Sequence, residues 1–397
     1  MSKCLVVLDH SFRLNSLIMK LALSSYDVIS IVYVSNWYYD NRAKSLYKNT
    51  DYSFHKNALN YFSFKLKKKY NVSLSVIKSK SPTSLIERFC KENNIDQILY
   101  DLPLFSDKLS FPKDLDVLEV DSDTYIPDCT KMTAKSRWMF WERNKLNRSQ
   151  VFIELNKTDF LEGPGEKFIC DDKEALVIKE KTKNILHAVK DKLNEYSRLR
   201  NTREGSTKLS AYLHHGLIDA RELTHTILSV SGQLEKGNKY ISILRQLAFR
   251  EIAITKTRQK KISLFDQGSR LSQLLLDKAS QDSLRDNEFE AVFTKEQLLN
   301  GNTGFRALDN EINLCIQNRW MPNRARMWFA GECYWGLGGG LKSLDALIEF
   351  FNKHSDDAQS PNNIIGCVEC MRLKYGKVMR YNKERTFRLL NGEETIK

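Results

Sequence analysis

The strongest constraint on the fold lies near the start of the chain, where short apolar runs alternate with segments of helical spacing. Apolar runs at 3–8, 28–34, 72–77 and 96–100 predict buried strands, and the stretches 16–23, 54–70 and 84–91 predict helices. Strands joined through helices form a parallel sheet, because each crossover connection covers one face of that sheet. The amino-terminal part of the chain is therefore predicted to be an α/β domain.

The edge of this sheet is the expected place for a ligand. Ligands of open parallel sheets bind beyond the carboxyl ends of the strands, which here means the segments 9–15 and 33–37. No Gly-x-Gly-x-x-Gly signature follows the first strand. We therefore reject a standard dinucleotide site in this domain.

The second half of the chain has a different pattern. From Lys179 onward apolar residues recur at spacings of three and four, which predicts packed helices. Glu162-Gly-Pro-Gly165 is a strong turn signal and marks a connection between the two halves. We predict an α/β + all-α protein, with a Rossmann-like parallel-sheet domain at 1–130, a connector at 131–180 and a helical domain at 181–397.

Composition limits the partners and the compartment. The 397 residues carry a formal net charge of +13, which suits a polyanionic partner such as DNA. Eight cysteines are scattered over a long chain and no leader segment is recognisable, so we expect reduced thiols and a cytoplasmic protein. No apolar run approaches the roughly 18 residues of a membrane span, so we expect no membrane partner.

The stretch 301–327 predicts two helices with a break between them and Pro322 at the first position of the second helix. Arg324 and Arg326 would then lie in the first turn of the second helix, at the positive end of its dipole. An anion or polar ligand nearby would offset this unfavourable placement. Asn323 and Arg326 share one face of that helix. Two packed helices with solvated arginines are the alternative.

A second candidate is Gly205-Ser206-Thr207-Lys208-Leu209-Ser210, a loop of small hydroxyl residues at the start of a predicted helix. Backbone N–H groups and hydroxyls at the positive end of a helix can bind phosphate. An ordinary serine or threonine cap is the alternative on residue types alone. In a later predicted helix at 239–256, Gln246 and Arg250 share a face.

Together these motifs resemble the flavin-binding core of the photolyase/cryptochrome family. The resemblance rests on Gly301-Asn-Thr-Gly-Phe…Asp309, Trp320-Met-Pro-Asn-Arg-Ala-Arg-Met327, the loop 205–210 and Leu244-Arg-Gln-Leu-Ala-Phe-Arg-Glu251. The first domain resembles the antenna domain of that family, so nearly the whole chain is covered in order. The resemblance implies a folded FAD in the helical domain, an antenna chromophore of unknown kind and light-driven chemistry on damaged DNA.

The resemblance also implies roles for individual residues. FAD would be bound by Tyr196, Ser206, Thr207, Lys208, Leu209, Ser210, Arg250, Asn323, Arg326, Asp356 and Asn362. Chemistry on a pyrimidine dimer would involve Gln246, Phe249 and Asn362, and DNA phosphates would be bound by Lys256, Arg258 and Arg324. His214 and His215 lie at positions that vary in the family, and we interpret them as structural.

Departures from the family pattern bear on the reaction. Gln246 stands where the repair enzymes carry a carboxylate, and an amide cannot transfer a proton at neutral pH. No tryptophan follows Trp335, and the chain ends soon after Asn362, so part of the usual tryptophan relay and the final helices are missing. Light-dependent dimer repair by reduced flavin is our first hypothesis. The alternatives are a blue-light sensor that keeps FAD and a nucleic-acid-binding protein without flavin.

One further resemblance concerns metal. The run Pro361-Asn-Asn-Ile-Ile-Gly366 is similar to the bacterial iron–sulfur branch of the family, whose members hold a cluster with four cysteines. Cys367 and Cys370 have metal-ligand spacing, with Cys315 and Cys333 upstream, but the pair lies at a different place from the branch's ligands. We predict ordinary cysteines and no metal.

Overall fold

The computed structural model describes most of the chain. The described residues are 1–9, 12–34, 53–79, 81–104, 108–125, 132–144, 146, 158–193, 195–231, 239–263, 266–286, 288–358, 360–370, 373–374, 377–378, 382–391 and 393. Residues 10, 11 and 35–37 of the two predicted sheet-edge segments lie outside this set.

The amino-terminal part is built around a seven-stranded sheet with the order β5-β4-β1-β2-β3-β7, in which β6 also pairs with β2. The strands are β1 Lys3–Leu8, β2 Val28–Val34, β3 Ser75–Ile77, β4 Gln97–Asp101, β5 Val117–Val120, β6 Asp159–Phe160 and β7 Glu166–Lys167. All pairs are parallel except β3 with β7. The predicted parallel-sheet domain is confirmed.

Helices cover both faces of the sheet. Helices α1 (Leu17–Ser25) and α2 (Ser53–Tyr70) share one apolar core with Val6, whereas α3 (Pro82–Asn93) shares another with Leu5. Successive side chains of a strand point to opposite faces, so the buried run of β1 supplies both cores.

The segment predicted as a connector takes part in the first sheet through β6 and β7. The turn between them contains Gly165, whose φ is +99°. A Cβ at Gly165 would lie 2.4 Å from the Val76 carbonyl oxygen, so only glycine permits this close approach. The helix that follows, α5 (Asp172–Leu193), packs along α2. Residues 158–193 are therefore attached to the sheet.

The rest of the described chain is mainly helical, as predicted. The remaining helices are α4 Ala134–Arg143, α6 Tyr196–Leu199, α7 Ser210–His214, α8 Ala220–Val230, α9 Ile241–Gln259, α10 Gly268–Leu275, α11 Lys278–Asp286, α12 Lys295–Asn300, α13 Arg306–Asn318, α14 Asn323–Gly336, α15 Gly340–His354, α16 Pro361–Cys370 and α17 Lys383–Leu390. Short strands β8 Leu373–Lys374 and β9 Lys377–Val378 pair near the carboxyl end. None of these helices, as far as the chain is described, combines the length and apolar character that crossing a membrane requires.

The stretch 301–327 forms the two predicted helices. The apolar face of α13 is buried in the core, including Leu308, Ile312 and Cys315. Pro322 is the cap residue before α14 and not its first residue, because the helix begins at Asn323.

The segment Asp121 to Tyr125, which follows β5, fastens the helical half to the end of the sheet. We call it the interdomain strap. Four arginines donate hydrogen bonds to it: Arg13 to the Ser122 carbonyl, Arg221 to the Thr124 carbonyl, Arg250 to the Asp123 carboxylate and Arg258 to the Asp121 carboxylate. Three of these arginines belong to α8 and α9, so the strap also fixes the position of α9.

Candidate functional site

A cavity opens between the helices of the carboxy-terminal half. Its walls come from the loop before α7, from α9, from the start of α14 and from the segment that joins α15 to α16. The space between these walls, including the open mouth, measures about 1400 Å³. This figure counts the solvent at the mouth, so it measures the space between the walls and not the volume of an enclosed pocket.

The loop before α7 forms a polar end of the cavity. Its lining residues are Ser206, Thr207, Lys208, Leu209 and Ser210. A Cβ at Gly205 would lie 2.1 Å from the Leu199 carbonyl oxygen, so glycine is needed for the loop to pass so close. Lys192 Nζ donates to the Ser206 carbonyl oxygen at 2.9 Å, and Lys208 Nζ lies 5.1 Å from the centroid of the Trp320 ring. The hydroxyls and the Lys208 ammonium group on the cavity wall suit a phosphate.

A buried ion pair forms another part of the wall. Arg326 Nη2 donates to the two carboxylate oxygens of Asp357 at 2.8 and 3.1 Å, and Nη1 donates to Asn363 Oδ1 at 2.7 Å. Burial alone would raise the pKa of Asp357, but the Arg326 charge and hydrogen bonds from Ser210 and Ser355 bring that pKa below its ordinary value. Asp357 is therefore a carboxylate at neutral pH. Through Ser210 it is linked to the polar loop.

The neighbouring carboxylate, Asp356, is the one that the family resemblance assigned to FAD. It lies outside the set of cavity-lining residues and accepts a hydrogen bond from Arg319 Nε at 3.1 Å. Asp357, one residue later, lines the cavity instead. Two adjacent acidic residues in a turn point in different directions, and sequence spacing does not tell which one faces a cavity.

Helix α9 supplies Gln246 and Arg250, whose common face was predicted and which both line the cavity. Arg250 Nη2 donates to Asp123 Oδ1 at 2.6 Å and to the Leu213 carbonyl oxygen at 3.2 Å, so the strap holds this side chain in place. Phe249, also predicted for the site, is 50% exposed and does not line the cavity.

Three other residues predicted to bind FAD also line the cavity. Tyr196 is buried in its wall, whereas Asn323 and Asn362 line it from exposed positions. Of the residues predicted for FAD, all but Asp356 line this one cavity.

Several wall residues were not predicted individually. The centroid of the Phe351 ring lies 5.1 Å from Cζ of Arg326, and Asn363 accepts a hydrogen bond from the same guanidinium. Trp320 belongs to the Trp-Met-x-Asn-Arg motif, so that motif could have identified it. Phe351 is one of many apolar residues of α15, and no sequence signal separates it from the core.

The three cations predicted to bind DNA have different surroundings. Lys256 Nζ donates to Glu369 at 2.8 Å in a partly exposed pair. Arg258 donates to Asp121 and to two backbone carbonyl oxygens just after β4, so its contacts are those of an interdomain tether. Arg324 is partly buried and does not line the cavity.

The cysteines considered as cluster ligands are buried thiols where the structure describes them. Cys315, Cys333 and Cys367 form no disulfide, and the side chain of Cys370 lies outside the described residues. Burial raises the pKa of Cys315 to about 12, so this thiol is protonated at neutral pH. Across the described positions, no three His, Cys, Asp or Glu side chains gather as a metal site would require.

The cavity walls fit a flavin dinucleotide. The polar loop offers hydroxyls and the Lys208 ammonium group for a pyrophosphate, and Gln246, Asn323 and Asn362 offer amides to a heterocyclic ring. A Cβ at Gly366 would meet no atom within 4 Å, so this part of the wall borders open space. The described residues thus form a mixed polar and apolar cavity with cationic side chains, which suits an anionic ligand.

Comparison with known proteins identifies the fold. No family model matches the chain, and no curated protein does. The crystal structure of the cryptochrome of Synechocystis sp. PCC6803 superposes with a TM-score of 0.68 at 15% sequence identity, covering 98% of this chain and 86% of that one. A class III photolyase from Agrobacterium tumefaciens gives a TM-score of 0.68 at 14% identity, with 99% and 85% coverage. The chain has the photolyase/cryptochrome fold over nearly its whole length.

Proposed function

We propose that the cavity binds FAD and that the protein is a light-dependent flavoprotein. The observation that carries this proposal is the convergence of four distant segments on one cavity. These are the loop 205–210, α9 with Gln246 and Arg250, the start of α14 with Arg326, and the turn before α16 with Asp357. The same segments carry the sequence motifs that imply a folded FAD, and the fold is that of photolyases and cryptochromes.

The reaction that we propose is light-dependent repair of pyrimidine dimers in DNA. Reduced FAD, when bound, supplies an electron under blue light. The protein's own residues would hold the flavin: the loop 206–210 would bind its pyrophosphate, and Arg326, held by Asp357, would place a positive charge on the cavity wall. A dimer flipped out of DNA would enter through the mouth, where the Gln246 amide can hydrogen-bond its carbonyl groups. The net charge of +13 favours association with DNA.

Two observations favour a second candidate, a blue-light sensor that keeps FAD and does not repair. Gln246 lines the cavity as an amide, so this position cannot supply a proton. Phe249, the aromatic residue implied beside the lesion, is half exposed outside the cavity. A third hypothesis, a nucleic-acid-binding protein without flavin, predicts a colourless protein.

The absorption spectrum of the purified protein separates flavoprotein from empty scaffold. We expect flavin absorbance in the blue, and a protein that stays colourless after incubation with FAD would end the proposal. Arg250→Ala should lower flavin retention, whereas Arg245→Ala, an exposed arginine on the same helix, should not. An illuminated assay on dimer-containing oligonucleotides then separates repair from sensing. Loss of dimers only in light would exclude a pure sensor.

A further inference from the structure

Three histidines and a tyrosine form a buried row that ends at the cavity. His214, the last residue of α7, lines the cavity, and its ring centroid is 4.5 Å from that of His215. The ring of His55 on α2 lies 5.5 Å from that of His215, and His55 Nε2 lies 2.9 Å from the Tyr33 hydroxyl on β2. The four residues are 7%, 6%, 7% and 2% exposed in the order given. The row therefore runs inside the protein from the cavity to the end of a central strand.

The hydrogen bonds of this row assign some of its protons. His215 Nε2 lies 3.0 Å from the Asp356 carbonyl oxygen. A carbonyl oxygen only accepts hydrogen bonds, so His215 Nε2 must carry a proton. The ring is thereby held in one orientation against His214. At the other end of the row, the Tyr33 hydroxyl and His55 fix each other in the same way.

The charges on the cavity wall make the state of His214 depend on the ligand. His214 is the one imidazole among the described residues of this wall. The charged side chains that share the wall are Arg200, Lys208, Arg250, Arg326 and Asp357. Arg250 and Arg326 are ion-paired with Asp123 and Asp357, so the net positive charge of the wall comes from Arg200 and Lys208. This net charge opposes a further positive charge on the imidazole, and an anionic ligand offsets that opposition. Imidazole is also the side chain that ordinarily gains a proton between about pH 5 and 8.

We propose that His214 takes up a proton when FAD in the cavity gains negative charge. His215, His55 and Tyr33 hold the His214 ring in position. The inference rests on the proposed FAD site. The electrons come from an external two-electron reductant such as dithionite. A ring-nitrogen lone pair of neutral His214 forms a new N–H bond with a proton from solvent, and no covalent bond to the ligand forms. The resulting imidazolium balances the negative charge gained in the cavity. This role of His214 goes beyond the structural role predicted from the sequence.

The test compares the full-length wild type with His214→Gln and with His187→Gln, an exposed histidine of α5 that serves as the matched control. Flavin content is measured first, and the midpoint potential of the bound flavin is then measured between about pH 6 and 8. We expect the wild type and His187→Gln to take up about one proton more per flavin reduced than His214→Gln. This difference is seen as a steeper fall of the potential with pH. Equal slopes in all three proteins would overturn the proposal.

A second measurement covers a His214→Gln variant that fails to fold or to retain flavin. In wild-type protein labelled with 15N-histidine, reduction of the bound flavin should convert one imidazole to imidazolium, as seen in its ring-nitrogen chemical shifts. The absence of any such change would overturn the role of His214 while leaving the FAD site intact. A wild type that binds no FAD would instead remove the proposed function, and with it this inference. The flavin measurement identifies that outcome before any potential is measured.

Discussion

Arg326 and Asp357 form a two-point ion pair in the cavity wall, with Nη2 at 2.8 and 3.1 Å from the two carboxylate oxygens. Their side chains are 12% and 5% exposed. A parallel pair joins the same two regions of the chain, Arg319 with Asp356, but its side chains are 25% and 23% exposed and do not line the cavity. The fold therefore contains a buried pair at the proposed site and a matched pair beside it.

We predict that Arg326→Ala loses both stability and flavin. The substitution leaves Asp357 as a buried carboxylate without its cation, which costs about 3–5 kcal/mol of unfolding free energy. It also removes a fixed positive charge from the cavity, so flavin affinity should fall roughly tenfold or more. Urea unfolding measures the first effect, and the ratio of flavin to protein absorbance measures the second.

Arg319→Ala is the control for this prediction. A partly exposed pair contributes about 0–1 kcal/mol, and its loss should leave the flavin content unchanged. If both variants lost flavin equally, the position of Arg326 in the cavity wall would be irrelevant and the proposed site would be wrong.

Glu251 should give the protein an unusual dependence of stability on pH. Burial raises the pKa of this carboxyl from 4.5 to about 8, against the opposing effects of the Tyr125 N–H and Arg137. Between these two pH values the folded protein holds a proton that the unfolded chain has lost. The contribution of Glu251 to stability is therefore full below about pH 4.5 and decreases as the pH rises toward 8.

Glu251→Gln should remove that decrease, because glutamine keeps a neutral side chain at every pH. Between about pH 4.5 and 8 the unfolding free energy of the wild type should fall by on the order of a few kcal/mol more than that of Glu251→Gln. Urea unfolding at several pH values measures this difference. Glu180→Gln, at an exposed position of α5, should leave the slope as it is in the wild type. A wild type whose stability rises across this window would contradict the raised pKa.

Asp219 should be the most sensitive residue of the contact between the two halves. Its Oδ2 accepts from Arg13 Nε at 3.0 Å, while its Oδ1 caps α8 by accepting from the N–H groups of Arg221 and Glu222. Asp219→Asn keeps the cap oxygen and breaks the buried ion pair, so we expect a loss of about 3–5 kcal/mol. Asp219→Ala should lose about 1 kcal/mol more, because the cap also disappears.

The exposed pair between Lys108 and Glu119 gives the comparison for Asp219. Glu119→Gln should cost about 0–1 kcal/mol in the same urea titration. An Asp219→Asn variant as stable as Glu119→Gln would show that the Arg13 contact does not hold the halves together.

How far the sequence predicts this fold depends on how strongly each element is buried. The strands at 3–8 and 28–34 are continuous apolar runs and were predicted with the bounds that the structure has. β5 and β7 were missed, since they are four and two residues long with mostly exposed or half-buried side chains. Such edge strands form by pairing with partners distant in the chain, and their own residues give no sign of that pairing.

For the site, the sequence predicts which segments meet better than which side chains face the cavity. Gln246 and Arg250 are four residues apart and share a helical face, whereas Phe249, next to Arg250, is turned away by about 100°. Arg258 was predicted to bind DNA, but its partner Asp121 is 137 residues away in the chain. A pairing over that distance is decided by the tertiary fold and leaves no local pattern.

The different surroundings of Arg258, Lys256 and Arg324 lead to a prediction for DNA binding. If Lys256 and Arg324 contact phosphates, replacing either by alanine should weaken binding to a dimer-containing duplex. Each loss should also lower the slope of log affinity against log salt by about one. Arg258→Ala should instead lower stability with little change in that slope, because its side chain is engaged by the strap and by backbone carbonyls. Fluorescence anisotropy at several salt concentrations measures the affinities.

Lys183→Ala, an exposed lysine of α5, is the control, and it should bind DNA like the wild type. A salt slope unchanged in both the Lys256 and the Arg324 variant would mean that DNA is bound elsewhere or not at all.

Gln246→Glu is the sharpest test between repair and sensing. The variant places a carboxyl group on the cavity wall, on the same helical face as Arg250, without changing the size of the side chain. A proton-transferring group at a reacting centre typically contributes about 10²–10⁴-fold, so even partial alignment should raise the rate of light-driven dimer loss about tenfold. Flavin content should not change, and Gln259→Glu, at an exposed position of the same helix, should repair no faster than the wild type. If the wild type and Gln246→Glu both bind FAD and neither removes dimers in light, the amide is part of a cavity that does not act on DNA, and the sensor hypothesis replaces repair.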